Sequence, residues 1–203
     1  MEKELFSKER RDFFSKICIA GTGSLAFLSL TGCGGSDSNI IDTNSTDKTT
    51  VPLTDEQKYT LLYMYQEEKV ARDVYYYLGN LYPDENTFAY IQISEQRHMD
   101  ACEKLCIKYG IDISAIDESV YGEFILPELQ DLYDTLIVQG EPSLRAALEV
   151  GVLIEETDIT DLDDAIASMP SDASDIIRVF ENIQEGSLNH LEAFEYSLSQ
   201  LPT

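Results

Sequence analysis

The sequence predicts an all-α protein, an antiparallel four-helix bundle with an extra short helix in the crossover between two helical pairs. Between residues 54 and 203, four long segments repeat apolar residues at the spacing of a helix with one buried face. Proline or glycine ends each segment, and the break within each pair is short enough to join antiparallel neighbours. No segment shows the alternation that is typical of strands.

The first 33 residues are expected to be an export signal and are left out of the fold. A charged start precedes an apolar run from Ile17 to Leu30, which is shorter than the ~20 residues of a membrane-spanning helix. The run ends in Leu-Thr-Gly-Cys, which resembles a bacterial lipobox. That resemblance implies cleavage before Cys33 and lipid attachment to its sulfur. An ordinary uncleaved anchor is the alternative.

Two consecutive arginines indicate the export route. Residues 10–16, Arg-Arg-Asp-Phe-Phe-Ser-Lys, resemble a twin-arginine signal, a route that carries proteins already folded. A general secretory signal with a chance arginine pair is the alternative. Residues 34–53 are mostly small and polar and are expected to form a flexible tether. The folded domain, residues 54–203, is therefore expected at the cell envelope, lipid-anchored to the membrane on its periplasmic or extracellular face.

The charge of the chain limits its partners. It has 38 acidic and 14 basic residues. Residues 1–33 contain four of the acidic and five of the basic residues. The remainder therefore has 34 acidic and 9 basic residues, a formal charge of −25. Such a surface repels phosphate backbones, so no nucleic-acid partner is expected. It would concentrate cations, although solubility alone explains it equally well.

Metal-competent side chains interrupt the apolar faces of the first two long helices. Glu68 lies on the apolar face of the first, whereas Glu67 is expected to be solvated. An ionised carboxylate on a buried face is costly unless it is paired or bound to a metal. The second carries Glu95 and His98, and an i, i+3 pair on a helix can reach one point. Its two cysteines, Cys102 and Cys106, are expected to be small core residues.

The later helices repeat this pattern. Ser143 is expected to cap a long helix whose apolar face carries Glu155, with Asp158 beside it and Glu156 as the rival of Glu155. The last long helix carries His190 in its apolar face. Most tyrosines of the first two helices are interpreted as packing residues.

These side chains are predicted to converge on a metal centre. In carboxylate-bridged two-metal bundles, two helices supply Glu and the other two supply Glu-x-x-His. Oxygen and imidazole ligands suit iron or manganese, so two iron ions are expected, with manganese as the substitute. A metal-free layer of hydrogen-bonded polar groups is the alternative. The predicted ligands are Glu68, Glu95, His98, Glu155, Asp158 and His190.

Sequence motifs in these helices resemble a known superfamily. Residues 68–75 are similar to the first metal helix of rubrerythrin-like proteins, in which Glu-x-x-Ala-Arg-x-x-Tyr recurs, and residues 94–98 resemble the second. Residues 54–200 as a whole resemble a bacterial and archaeal family of ferritin-like domains of unknown function. One position departs from the pattern, because Ser187 stands where a glutamate would precede His190 by three residues. The second half-site is one carboxylate short unless Asp158 supplies it. A single metal, or an asymmetric pair with an open position where dioxygen or peroxide would bind, is therefore the alternative to a symmetric pair.

The resemblance implies a ferritin-like metal-binding protein, a di-iron or di-manganese oxidoreductase that acts on peroxide, dioxygen or ferrous iron. No catalytic residue is expected apart from the metal ligands. The chain lacks a Cys-x-x-Cys pair for a rubredoxin-type iron, so electrons would come from a donor or from the substrate. A non-catalytic metal-binding or storage module and a metal-free helical interaction domain are the alternatives, and a homodimer is left open.

Overall fold

The computed structural model describes residues 50–202, so the predicted signal, Cys33 and most of the tether lie outside the described residues. Residues 50–202 contain helices and no strand, which confirms the predicted all-α class. None of their helices combines the length and apolar character that crossing a membrane requires. The helices are α1 (Asp55–Leu81), α2 (Thr87–Lys108), α3 (Pro127–Gly140), α4 (Leu144–Ser168) and α5 (Ser174–Gln200).

Local signals explain where two of these helices begin. Thr54 Oγ1 accepts from the backbone N–H of Gln57 at 3.3 Å, and the Gln57 side chain accepts from the backbone N–H of Thr54 at 2.9 Å. This is the capping box that the sequence Thr54-Asp-Glu-Gln57 predicts, and it satisfies donors that a helix start leaves free. Ser143 caps α4 by accepting from the backbone N–H of Ala146 at 3.1 Å, also as predicted.

The four long helices surround one core. α1 packs along α2, and α4 packs along α5. Because only short breaks join the members of each pair, the two helices of a pair run in opposite directions. α1 also contacts α4, and α2 contacts α5, which closes the bundle. α3 packs against α1 and α4 within the connection between the pairs, where the extra short helix was predicted.

An aromatic cluster fills the core beside the bundle's polar centre. The Tyr75 ring lies 5.0 Å from that of Phe194, and Phe88 lies 5.5 Å from Phe194 between ring centroids. Gly151 permits this packing, because a Cβ atom at that position would lie 2.5 Å from the Phe194 ring. Interiors are packed too densely to absorb such an overlap.

Buried ions anchor the connection between α2 and α3. Asp73 accepts from Lys69 at 2.6 Å, from Arg72 at 2.7 Å and from the backbone N–H of Gly122 at 2.9 Å. The two cations also donate to backbone carbonyls of the connection at 2.7 and 2.8 Å. Every charge in this cluster is therefore paired, as burial requires.

Candidate metal centre

One carboxylate, that of Glu95 on α2, faces both histidines of the chain. Its Oε2 lies 2.7 Å from Nδ1 of His98, one turn further along α2. Its Oε1 lies 2.8 Å from Nδ1 of His190, which α5 supplies. One ligand atom from each residue lies within 4.8 Å of the others, a spacing at which they could hold a metal ion. Glu95 therefore joins two imidazoles from different helices.

Each histidine has a second carboxylate of its own. Glu68 of α1 places Oε2 3.3 Å from Nδ1 of His98. Glu155 of α4 places Oε2 3.5 Å from Nδ1 of His190. The site thus consists of two half-sites, each with one imidazole and one carboxylate, that share Glu95.

Two hydroxyl groups bind carboxylates of α4. The Tyr75 hydroxyl donates to Oε1 of Glu155 at 2.6 Å. The Ser187 hydroxyl donates to Oδ2 of Asp158 at 2.6 Å. Asp158 is 5% exposed and Ser187 is fully buried, so water does not compete for this hydrogen bond.

Several oxygen and nitrogen atoms of the site that could bind a metal are buried without a hydrogen-bond partner within residues 50–202. The nitrogen–oxygen approaches around Glu95 are as short as hydrogen bonds, but Glu95 Oε1 and both Nδ1 atoms have no hydrogen-bond partner of acceptable geometry. Leaving a buried polar atom unsatisfied costs about 1–3 kcal/mol. A cation among these atoms would satisfy them, and oxygen with imidazole donors fits iron or manganese. The unsatisfied atoms are Glu68 Oε1, Glu95 Oε1, Asp158 Oδ1 and the Nδ1 atoms of His98 and His190.

Electrostatics favour charged groups at the centre of the site. Burial alone would raise the pKa of Glu95, but His190 and His98 outweigh burial and lower it to about 2. Burial would lower the pKa of His98, but Glu68 and Glu95 raise it to about 11. Burial would also lower the pKa of His190, but Glu155 and Glu95 raise it to about 9. Glu95 is therefore an anion between two groups that readily become cations.

The outer carboxyl groups instead tend to hold protons. Burial raises the pKa of Glu68 to about 7, although His98 offsets part of that effect. Burial and the charge of Glu95 raise the pKa of Glu155 to about 8. Burial, followed by the charges of Glu68 and Glu155, raises the pKa of Asp158 well above its usual range. A cation could replace these protons, since metal binding to such ligands releases protons.

Comparison with known proteins places this bundle in a family. Residues 57–201 match the family described as an uncharacterized protein domain, DUF2202. The chain belongs to this family. The match spans the candidate ligands and nearly the whole bundle, so the DUF2202 domain is the bundle itself.

A relative and a solved structure extend this comparison. The uncharacterized protein MJ0754 of Methanocaldococcus jannaschii is 42% identical over 143 residues, which cover 70% of this chain and 75% of that protein. The crystal structure of hypothetical protein MJ0754 from Methanococcus jannaschii is 38% identical in sequence with a TM-score of 0.70. The structural match covers 76% of this chain and 86% of that chain. The bundle architecture is thus similar to that of a solved archaeal protein.

The DUF2202 domain brings the predicted ligands of all four long helices to one place, and metal ligation by them stays a prediction. Glu156 is exposed, which leaves Glu155 as the residue of α4 that faces His190. The expectation that Glu67 is solvated is wrong, because this residue is only 6% exposed. α1 packs against α2, α3 and α4, so its middle has almost no solvent-facing side.

Sequence reasoning missed the two hydroxyl donors of the DUF2202 site. Ser187 was recognised only as a missing glutamate, although a serine in the middle of an apolar face is itself a signal that it has a buried partner. Tyr75 was grouped with packing tyrosines, whereas its position seven residues after Glu68 places it on the same helix face.

Proposed function

We propose that this DUF2202 protein binds two metal ions, iron or manganese, in a ferritin-like centre and acts as an oxidoreductase on peroxide, dioxygen or ferrous iron. The observation that carries the proposal is the position of Glu95, with one carboxylate oxygen close to each of two imidazole nitrogens. A carboxylate between two histidines from different helices is the arrangement that a bridged metal pair uses. A purely structural polar layer would give its buried atoms hydrogen-bond partners, and Glu95 Oε1 and both histidine Nδ1 atoms have none among the described residues.

The donors divide between two ions. His98 and Glu68 would hold one ion, His190 and Glu155 the other, and Glu95 would bridge them, while Asp158 would supply one further oxygen. A shared carboxylate offsets the repulsion between two close cations. Bound iron or manganese would supply the redox chemistry, and the protein would supply geometry and a site shielded from bulk water. The two histidine side chains are 11% and 10% exposed, so a small solute would reach the site along their edges.

The proposed location is the cell envelope. It rests on the twin-arginine-like and lipobox-like motifs of residues 1–33, which lie outside the described residues. A lipid on Cys33 and a tether over residues 34–53 would hold the DUF2202 domain at the membrane surface.

The alternative is a protein whose site is a metal-free layer of polar groups. The charges within the site are compatible with this alternative. Two protonated histidines would balance Glu95 and one further carboxylate, while raised pKa values keep the other carboxyl groups protonated. Such a core could belong to a helical interaction domain. The two classes differ in one property, which is metal content.

Metal content after reconstitution tests the proposal. The purified protein is loaded anaerobically with Fe²⁺ or Mn²⁺, desalted and analysed by mass spectrometry. We expect close to two ions per chain, and almost none in the His98→Ala/His190→Ala variant. Asn189→Ala is the matched control, because Asn189 is exposed beside His190 on the same helix. An unchanged metal content in the double variant would refute the site.

Activity then separates an enzyme from a store. The iron-loaded protein should consume hydrogen peroxide or oxidise added Fe²⁺ over many cycles, and the double variant should not. A loaded protein that takes up metal but turns over neither substrate would be a storage or binding module.

A further inference from the structure

Two buried hydroxyl groups form the same kind of hydrogen bond with two carboxylates of α4. Each binds one oxygen of a carboxylate and not the other: Tyr75 binds Oε1 of Glu155, and Ser187 binds Oδ2 of Asp158. The donors come from α1 and α5, on either side of α4. Both hydrogen bonds are 2.6 Å long, which is at the short end of the range for hydrogen bonds between oxygen atoms.

We infer that Tyr75 and Ser187 are positioning residues of the proposed metal centre, which restrict Glu155 and Asp158 to one metal-binding oxygen each and so keep coordination positions open for a small ligand. The inference rests on the proposed function. It concerns which atoms the α4 carboxylates offer to a metal, and therefore how much room remains for peroxide, dioxygen or a similar small molecule.

Packing fixes the direction of the Tyr75 hydroxyl. The side chain is fully buried, and its ring packs against Phe88 and Phe194 at centroid distances of 6.2 and 5.0 Å. Its other acceptor, the carbonyl of Gly151, is more distant at 3.5 Å. The hydroxyl therefore donates to the nearer acceptor, the carboxylate of Glu155.

The Ser187 hydroxyl also has two acceptors within reach, and the carboxylate is the nearer one. Its hydroxyl lies 2.6 Å from Asp158 and 3.1 Å from the carbonyl of Ile183, the acceptor that a serine inside a helix otherwise uses. Oδ1 of Asp158 has no hydrogen-bond partner among the described residues and is buried. Ser187 therefore turns one oxygen of Asp158 away and leaves the other as a single free donor atom.

The carboxylates of α1 and α2 are not restrained in this way. Within residues 50–202, no hydroxyl hydrogen bond to Glu68 or Glu95 accompanies the histidine contacts. A carboxylate that can rotate can bind through one oxygen, through two, or between two ions. The centre thus has one adaptable side, α1 with α2, and one restrained side, α4.

Restraint has a chemical consequence. A chelating carboxylate fills two coordination positions, whereas a carboxylate held by one oxygen fills one. Outer hydrogen bonds of this kind orient metal ligands, and their loss typically costs 10–100-fold in metal affinity or activity. Restraining both α4 carboxylates would therefore leave coordination positions on the metal that only a small exogenous ligand can fill.

Conservative deletions of the two hydroxyls test the inference. Tyr75→Phe keeps the ring and Ser187→Ala removes one oxygen atom. Cobalt(II) serves as the metal probe, with its affinity measured against a chromogenic chelator and its coordination followed by visible absorption. Azide serves as the small-ligand probe. We expect each variant to lose about tenfold or more in cobalt affinity, to change the cobalt spectrum, and to bind azide more weakly because the freed oxygen occupies the open position.

Tyr65→Phe is the matched control. Tyr65 is also buried, and its hydroxyl donates to Glu118 in the connection after α2 rather than to the metal centre. This variant should keep the wild-type cobalt affinity, spectrum and azide response, even where its unfolding midpoint falls. Circular dichroism and urea unfolding verify folding, and either hydroxyl variant alone suffices for the test.

The two failures are distinguishable. A wild-type protein that binds neither cobalt, iron nor manganese would refute the proposed function itself. A wild-type protein whose metal is lost in His98→Ala/His190→Ala, but whose affinity, spectrum and azide response survive in Tyr75→Phe and Ser187→Ala, would refute only the positioning role.

Discussion

Arg72 and Asp73 are neighbours on α1 whose side chains form a buried ion pair, with two guanidinium nitrogens at 2.9 and 2.7 Å from one aspartate oxygen. Lys69 occupies the other oxygen at 2.6 Å. The three side chains are at most 3% exposed. One aspartate therefore pairs with two buried cations, and it also holds the backbone of the connection that leads to α3.

Replacing this aspartate should strongly lower the free energy of unfolding. Asp73→Asn leaves Lys69 and Arg72 without a buried anion, and breaking a buried pair typically costs about 3–5 kcal/mol. Urea unfolding followed by circular dichroism measures the change. Asp131→Asn on the exposed side of α3 is the control and should stay within about 0.5 kcal/mol of wild type. A loss below about 1 kcal/mol at Asp73 would contradict the role of this cluster.

The stability of the metal-free protein should fall as pH rises. Glu68 and Glu155 have folded-state pKa values raised to about 7 and about 8, and those of His98 and His190 are raised to about 11 and about 9. A raised pKa stabilises the fold below the unfolded value and loses that effect as pH rises through the folded value. All four groups therefore act in the same direction above pH ~5.

The loss of stability at acidic pH is expected to come from Glu95. Its pKa is lowered to about 2, so its contribution is present above its unfolded value and disappears as pH falls toward 2. We expect the highest unfolding midpoint of the chelator-treated protein at about pH 5–6, and a decline toward pH 9 that bound metal suppresses. Midpoints that stay level or rise over that alkaline range would contradict this charge arrangement.

Gly186 of α5 lies against the tip of His98. A Cβ atom at this position would lie 2.6 Å from Nε2, so the imidazole would have to shift and move Nδ1 away from Glu95. Gly186→Ala should lower metal affinity by about tenfold or more, as loss of ligand orientation does. Chelator competition measures this, with exposed Asn189→Ala on the same helix as the control. Wild-type affinity in the alanine variant would show that His98 does not need this position.

Cys102 and Cys106 should resist alkylation in the folded protein. Both thiols are buried, and burial raises the pKa of Cys106 to about 12 and that of Cys102 well above its usual value. The thiolate is the reactive form. Peptide mapping after iodoacetamide treatment at pH 8 should find both unmodified in the native protein and both modified in urea. Rapid native modification would indicate that α2 opens toward solvent.

Local signals in the sequence predict the helices well. The capping box at Thr54, the cap at Ser143 and the start of α3 at Pro127 all lie where side-chain chemistry decides the backbone. The sequence predicts that α2 begins at about Glu85 and α5 at about Asp172, each about two residues before the observed start, which is the usual uncertainty of helix ends. The positions of Glu95 and His190 could also be predicted, because a charged group on an apolar face requires an explanation.

Contacts between distant residues could not be predicted. The spacing of apolar residues in α4 predicts a buried face that includes Val152, whereas the structure buries Gly151 because Phe194 packs against it. Tyr75 and Glu155 are 80 residues apart, and their hydrogen bond depends on how α1 and α4 cross. Side-chain periodicity describes one helix at a time, and the partner of a buried group belongs to another helix.

The donors of the centre are divided between two helical hairpins, α1 with α2 and α4 with α5. Glu68, Glu95 and His98 belong to the first hairpin, and Glu155, Asp158 and His190 belong to the second. A bound ion pair would be an internal cross-link between the two halves. Releasing both ions would require the hairpins to separate, so the lifetime of bound metal would follow the opening rate of the bundle rather than the exchange rate of single ligands.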